Sequence, residues 1–125
     1  MRTKDPSVQC AFHSILTGFL FRVNQMYLDL WDEELIITSG SETTTIHSYT
    51  SLHYSTPCQA ADTRNWDIII GKAASSIVTG RDQFRAIRKL ANSYCRDLKI
   101  PINWFDIILE SDHIHTEYQP KRLAS

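Results

Sequence analysis

The stretch Trp104-Phe105-Asp106-Ile107-Ile108-Leu109-Glu110-Ser111-Asp112-His113-Ile114-His115-Thr116-Glu117-Tyr118 decides how this chain is read. From Trp104 to Glu110 the residues alternate, with Phe105, Ile107 and Leu109 on one side, which is the period of a strand. Ser111-Asp112 makes a tight turn, and His113 to Tyr118 returns as the second strand of a hairpin. On that return strand the period of two puts His113, His115 and Glu117 on one face and Ile114, Thr116 and Tyr118 on the other. Two histidines and a glutamate on one strand face suit a cleft with a chemical task. A solvated strand edge carrying polar groups is the plainer reading of the same face.

Working outward, Asp82 is placed as the N-cap of a helix in which Phe84, Ile87, Leu90, Ala91, Tyr94 and Leu98 share a face, closed by Pro101. Lys72 to Gly80 fits a short helix or a loop. The residues around Asp62 and then Trp66 to Ile70 predict a strand entering a turn at Gly71. Leu35-Ile36-Ile37-Thr38-Ser39-Gly40 is a β-branched run ending at a glycine and predicts another strand. The Ser/Thr-rich stretch from Ser41 to Ser51 reads as a loop. Before it, Pro6-Ser7 starts a long helix whose apolar face is Val8, Phe12, Ile15, Leu16, Phe19, Val23, Met26, Tyr27 and Leu30. Gly18 sits inside that helix and weakens it by roughly 1 kcal/mol relative to Ala. The order of elements predicts an α+β fold, a small, mainly antiparallel sheet packed against helices, with residues 1–125 as one domain.

A chain of 125 residues can bury a core without staples. Its net charge of -1 argues against the broad basic footprint of a nucleic-acid binder. No apolar run approaches a bilayer span, so no membrane partner is expected. The N-terminal residues Met1-Arg2-Thr3-Lys4-Asp5-Pro6, followed by His13, Arg22 and Asn24, do not follow the order of a secretory signal. Cys10, Cys58 and Cys95 are odd in number and widely spaced, which implies no disulfide framework and a reducing compartment. A monomer is expected.

Further candidates for chemistry lie upstream. His47 and His53 are followed by Cys58, a set that as a loop site would use two imidazoles and a thiolate. Asp62 begins an apolar strand, where an isolated carboxylate is costly without a partner; a metal ion or Arg64 would supply one. On the hairpin, strand geometry does not choose between Glu110 and Asp112 as a free base. His113 and Glu117 fit substrate contact or support of a neighbouring ligand as well as ligation.

Three stretches resemble one family in order. His47-Ser48-x-x-Ser51-Leu52-His53-Tyr54 followed by Ala60-x-Asp62-x-Arg64 resembles the Ser-x-His…Ala-x-Asp signature of the zinc D-alanyl-D-alanine carboxypeptidases, which share their fold with the Hedgehog signalling domain. Glu110-Ser-Asp112-His113-Ile114-His115-Thr116-Glu117-Tyr118-Gln119-Pro120 resembles that family's closing motif in its bacteriophage endolysin form. Ile36-Ile37-Thr38-Ser39-Gly40 resembles the strand before the first ligand. The likeness covers roughly residues 35 to 120.

The resemblance implies one zinc ion held by His53, Asp62 and His115, with Asp112 as the catalytic base. Ser51 matches a serine close to the first ligand. It also implies a zinc-polarised water, deprotonated by Asp112, attacking a peptide carbonyl of the peptidoglycan stem. With no secretory signal, the expected location is the host cytoplasm until release, or a virion if phage-encoded.

Two departures accompany the likeness. His53 and Asp62 are nine residues apart, two more than is usual in the family, with Cys58 between them and no glycine in Ser55-Thr56-Pro57-Cys58-Gln59. An insertion of two preserves strand parity and costs little entropy in a loop. Many relatives also carry an arginine after the Thr-Ser strand end that neutralises the oxyanion. Here the stretch is Gly40-Ser41-Glu42, which leaves Arg64, His113 or His47 to substitute. These departures support a second expectation, a weak or inactive zinc-holding member of the fold acting as a wall-binding or virion module. A metal sensor built on His47, His53 and Cys58 is a third.

Overall fold

A computed structural model describes residues 1–42, 52–54, 57–71 and 76–120, with Tyr54 described by its backbone alone. The elements in chain order are β1 (Arg2–Thr3), α1 (Ser14–Trp31), β2 (Ile36–Ser39), a 3-10 turn (Leu52–Tyr54), β3 (Ala60–Arg64), β4 (Ile68–Ile70), β5 (Ser76–Val78), α2 (Gly80–Leu98), a second 3-10 turn (Ile102–Trp104), β6 (Phe105–Leu109) and β7 (His113–Tyr118). The hairpin forms as its alternation predicts. Phe105 pairs with Tyr118 and Leu109 with Ile114, and the Glu110 N–H donates to the His113 carbonyl at 2.9 Å to close the turn.

Five strands form one sheet in the order β1-β2-β3-β7-β6. The sheet is mixed where a mainly antiparallel one is expected: β1 runs parallel to β2, while the β2–β3, β3–β7 and β7–β6 pairings are antiparallel. A two-residue strand at the chain start reaches the β2 edge and follows its direction, a pairing with no local pattern to announce it. The strand expected from Asp62 through Ile70 is two strands in two sheets. The chain leaves the main sheet after Arg64, and β4 pairs with β5 as a separate antiparallel ribbon. Two side chains tie down the break: Asn65 Nδ2 donates to the Glu110 carbonyl at 3.1 Å, and Gln83 Nε2 donates to the Trp66 carbonyl at 2.7 Å. The stretch Lys72–Gly80 contributes β5; residues 72–75 lie outside the described residues, as does most of the Ser41–Ser51 loop.

Both helices pack on one sheet face. Leu16, Phe19, Leu20, Val23 and Tyr27 of α1 and Ile87, Ala91, Tyr94 and Cys95 of α2 meet Ile37, Ala61, Phe105, Ile114 and Tyr118 in one buried cluster. Burial of this apolar surface, about 25 cal/mol per Å², is the main force holding the layers together.

The helix starts differ from expectation. α1 begins at Ser14, not at Pro6-Ser7, and His13 caps it by accepting from the Ile15 N–H through Nδ1. Pro6-Ser7 lie in a turn closed by Val8 N on the Asp5 carbonyl, and the residues from Gln9 to His13 stay out of the helix because their backbone groups bond elsewhere. The Gln9 carbonyl accepts from Ser41 N, the Ala11 carbonyl from Cys58 N, and His13 N donates to the Cys58 carbonyl, at 2.7, 3.0 and 2.7 Å. α2 begins at Gly80, and its cap is Thr79 rather than Asp82. Asp82 completes a capping box three residues on: its N–H donates to Thr79 Oγ1 and its carboxylate accepts from the Thr79 N–H. Among the described residues, no helix is long and apolar enough to cross a membrane.

Candidate metal centre

With the helices on one face of the sheet, alternation along β3 and β7 turns Asp62, His113, His115 and Glu117 to the other. Ala61 and Thr63, and Ile114, Thr116 and Tyr118, are buried between them in sequence. Asp62 and His115 are partners in the β3–β7 register, and Arg64 partners His113. Register partners on one face stand side by side, with Cβ atoms about 5 Å apart. Asp62 Oδ1 lies 2.7 Å from His115 Nδ1.

His53 arrives from outside the sheet, on the Leu52–Tyr54 turn. Its Nε2 lies 3.3 Å from the same Asp62 oxygen, and its Nδ1 lies 2.9 Å from the Gly40 carbonyl oxygen. A carbonyl accepts only, so Nδ1 carries a proton, and Nε2 is the ring nitrogen that faces Asp62. Before β3, Cys58 N donates to the Ala11 carbonyl and the Cys58 carbonyl accepts from His13 N, which ties this part of the chain to the segment ahead of α1.

His53, Asp62 and His115 each offer one ligand atom, and these atoms lie within 4.8 Å of one another. Among the described residues they form the one group of that kind. The donor set is two imidazole nitrogens and a carboxylate oxygen, suited to a first-row divalent ion, and three protein ligands leave a coordination position open. The outer nitrogens fit a metal as well. His115 Nε2 lies 2.8 Å from Glu117 Oε1, and His53 Nδ1 is on the Gly40 carbonyl, so each imidazole is held from behind by an oxygen acceptor. That support fixes the ring and its tautomer in metal-ligating histidines.

The charges make the same point. Burial pushes the Asp62 carboxyl upward, but hydrogen bonds from His115 and His53 override it and hold the group far below the usual carboxylate range. Burial alone would lower His115; Asp62 and Glu117 together outweigh it and raise the imidazole to about 9. Two carboxylates thus draw positive charge into one small volume, a demand that a divalent cation meets more fully than a proton.

The remaining candidates fall as follows. His113 stands beside the triad, its Nε2 3.6 Å from Asp62 Oδ1. Asp112, expected to act directly as the base, instead lies 2.6 Å from His113 Nδ1, with its side chain 82% exposed. The turn residue is tethered by its neighbour's ring, so His113 is the group that faces the triad. Arg64 does not pair with Asp62: its guanidinium lies over the Trp66 ring, 3.9 Å from the centroid. Among the described residues, Asp62 Oδ1 has nitrogens of His115, His53 and His113 around it, at 2.7, 3.3 and 3.6 Å. Cys58 takes no part in the triad. Its thiol is pushed up by burial, contacts the His53 and Ala60 carbonyl oxygens at 3.3 and 3.1 Å, and gives the sensor set no thiolate. His47 and Ser51 lie outside the described residues.

Two participants have no sequence signal. Gly40 reads as the end of a strand, and nothing in its identity says that its carbonyl holds a histidine ring. Glu42 stands where an arginine is expected, and its inward use is visible only once the loops meet.

Compared with protein-family models, with curated proteins and with solved structures, the chain has no match.

Proposed function

We propose that this protein is a zinc-dependent peptidase that cuts a peptide bond in peptidoglycan stem peptides, of the carboxypeptidase or endolysin type. The observation that carries the reading is the buried His53–Asp62–His115 cluster whose two imidazoles are each supported from behind, with a further His–Asp pair beside it. The substrate class rests on the resemblance of three ordered stretches to the D-alanyl-D-alanine carboxypeptidases.

His53, Asp62 and His115 would hold the ion, and Glu117 would keep His115 turned toward it. Zinc held there would supply a Lewis acid and would make water a stronger acid. Proton movement falls to the Asp112–His113 pair. The Asp112 carboxylate takes the His113 Nδ1 proton in a hydrogen bond, which leaves Nε2, on the Asp62 side, as the acceptor for a proton from water and then its donor to the leaving amine. Asp112 thus serves through His113, where the resemblance gives it the base role outright.

The test is to load the protein with zinc, incubate it with peptidoglycan and identify released fragments by mass spectrometry. Cleavage that falls about 10²- to 10⁴-fold in both His113→Ala and Asp112→Ala, with zinc stoichiometry intact, would establish the reading. Stoichiometric zinc without product from any wall chemotype would overturn hydrolysis and leave a metal-holding binding module.

A further inference from the structure

We infer that Glu42 is a positioning residue for the metal centre, acting through Gly40 on His53. The inference rests on the metal site proposed above but not on hydrolysis. Glu42 is 5% exposed, and its carboxylate is fully engaged. Oε1 accepts from the Gly40 N–H at 2.7 Å and from the Gln9 N–H at 3.2 Å, while Oε2 accepts from the Ser39 hydroxyl. A buried carboxylate surrounded by these donors and by its own backbone N–H stays ionised and is not available as a base.

What those donors share is Gly40. Glu42 fixes its amide, and the Gln9 carbonyl presses on its Cα so closely that an added Cβ would come within 2.0 Å of that oxygen. Ser41 closes the box, with its N–H on the Gln9 carbonyl and its hydroxyl accepting from the Ala11 N–H. Glu42 thus fixes the Ser39–Gly40 peptide and the Gln9 carbonyl fixes the Gly40–Ser41 peptide that follows, so the Gly40 carbonyl has one orientation, in which its oxygen receives His53 Nδ1. His53 is the ligand that comes from a loop rather than from the sheet. Its ring is set by this contact, so the chain Glu42, Gly40, His53 gives a loop histidine the fixed placement that register gives to His115 and Asp62.

The experiment uses the full chain with ¹⁵N-labelled histidine. Long-range ¹H–¹⁵N spectra of the metal-free protein report the His53 tautomer, and competition with a chromophoric chelator reports zinc affinity. The unsubstituted protein is expected to bind zinc and to carry the His53 proton on Nδ1. Glu42→Ala should mix the tautomers and weaken zinc about 10- to 100-fold, and Glu42→Gln, which keeps a single acceptor oxygen, should fall between. If Glu42→Ala does not fold, Glu42→Gln alone decides. A purely structural Glu42 would lower the melting temperature and leave tautomer and affinity unchanged, which would overturn the inference alone. Failure of the unsubstituted protein to take up zinc would overturn the metal centre and the inference with it.

Discussion

Asp62 and His115 face each other across two antiparallel strands, with Asp62 Oδ1 2.7 Å from His115 Nδ1. Sheet register sets that spacing, so two of the three candidate ligands are placed by the most rigid part of the fold. A protonated His115 and an ionised Asp62 hold each other as a pair, and the same two atoms are positioned to share a cation. Asp62→Asn keeps the shape and removes the charge. Equilibrium dialysis with metal analysis should find that this variant no longer retains stoichiometric zinc; full retention would exclude the triad.

Glu117 lies behind His115 and touches it through Nε2 at 2.8 Å. A carboxylate in that place orients the ring and raises its basicity. Glu117→Gln is therefore expected to bind zinc about 10- to 100-fold more weakly while keeping one-to-one stoichiometry. Chelator competition measures both. An unchanged affinity would place Glu117 outside the centre.

The Glu42 carboxyl would be raised by burial, but hydrogen bonds from Ser39, Gly40 and Gln9 hold it below its usual value. A carboxyl with a depressed folded-state pKa contributes stability that is present above its unfolded value, about 4.3, and lost as pH falls through the folded value. The stability gap between the unsubstituted protein and Glu42→Gln should accordingly be widest near neutrality and close on acidification. Urea denaturation in the presence of a chelator reads it. A gap that widens toward acid would contradict the sign.

Gly18 weakens α1 by propensity but makes room for Tyr94: an added Cβ would lie 2.6 Å from the Tyr94 hydroxyl, which donates to the Ile15 carbonyl at 3.1 Å. The Tyr94 ring is packed against Phe19 and Phe105 and cannot swing aside freely. Gly18→Ala gains about 1 kcal/mol of helix propensity. Overpacking costs about 1–3 kcal/mol, so net destabilisation is expected. In a Tyr94→Phe background the same substitution should become stabilising. Denaturant midpoints of the four proteins check both signs.

Periodicity carried much of this molecule. The alternation of Phe105, Ile107 and Leu109, and of Ile114, Thr116 and Tyr118, is enough to form the hairpin and to turn His113, His115 and Glu117 away from the core. The three- and four-residue steps of Leu16, Phe19, Val23 and Tyr27, and of Ile87, Ala91 and Tyr94, identify most of the faces that α1 and α2 bury, although Leu20 joins the first and Leu30 stays exposed. Where the reading failed, another residue, distant or close by, had claimed the local one. Val8 and Phe12 sit at helical spacing, yet the residues between them bond to Ser41 and Cys58 and stay extended. Asp82 is a sound N-cap by composition, but Thr79 reaches its N–H first.

The candidate site divides in the same way. Residue types and strand parity put Asp62, His115 and Glu117 within the sequence's own reach, because a period of two is a property of the backbone and needs no partner to be read. That His53 joins them is what the resemblance implies, and the structure brings the three together; that Asp112 is bound to His113, and that Gly40 and Glu42 stand behind the His53 ring, are matters only the tertiary structure decides. Each depends on which loop lies against which, and hydrogen bonds between segments far apart in the chain leave no periodic trace in either one.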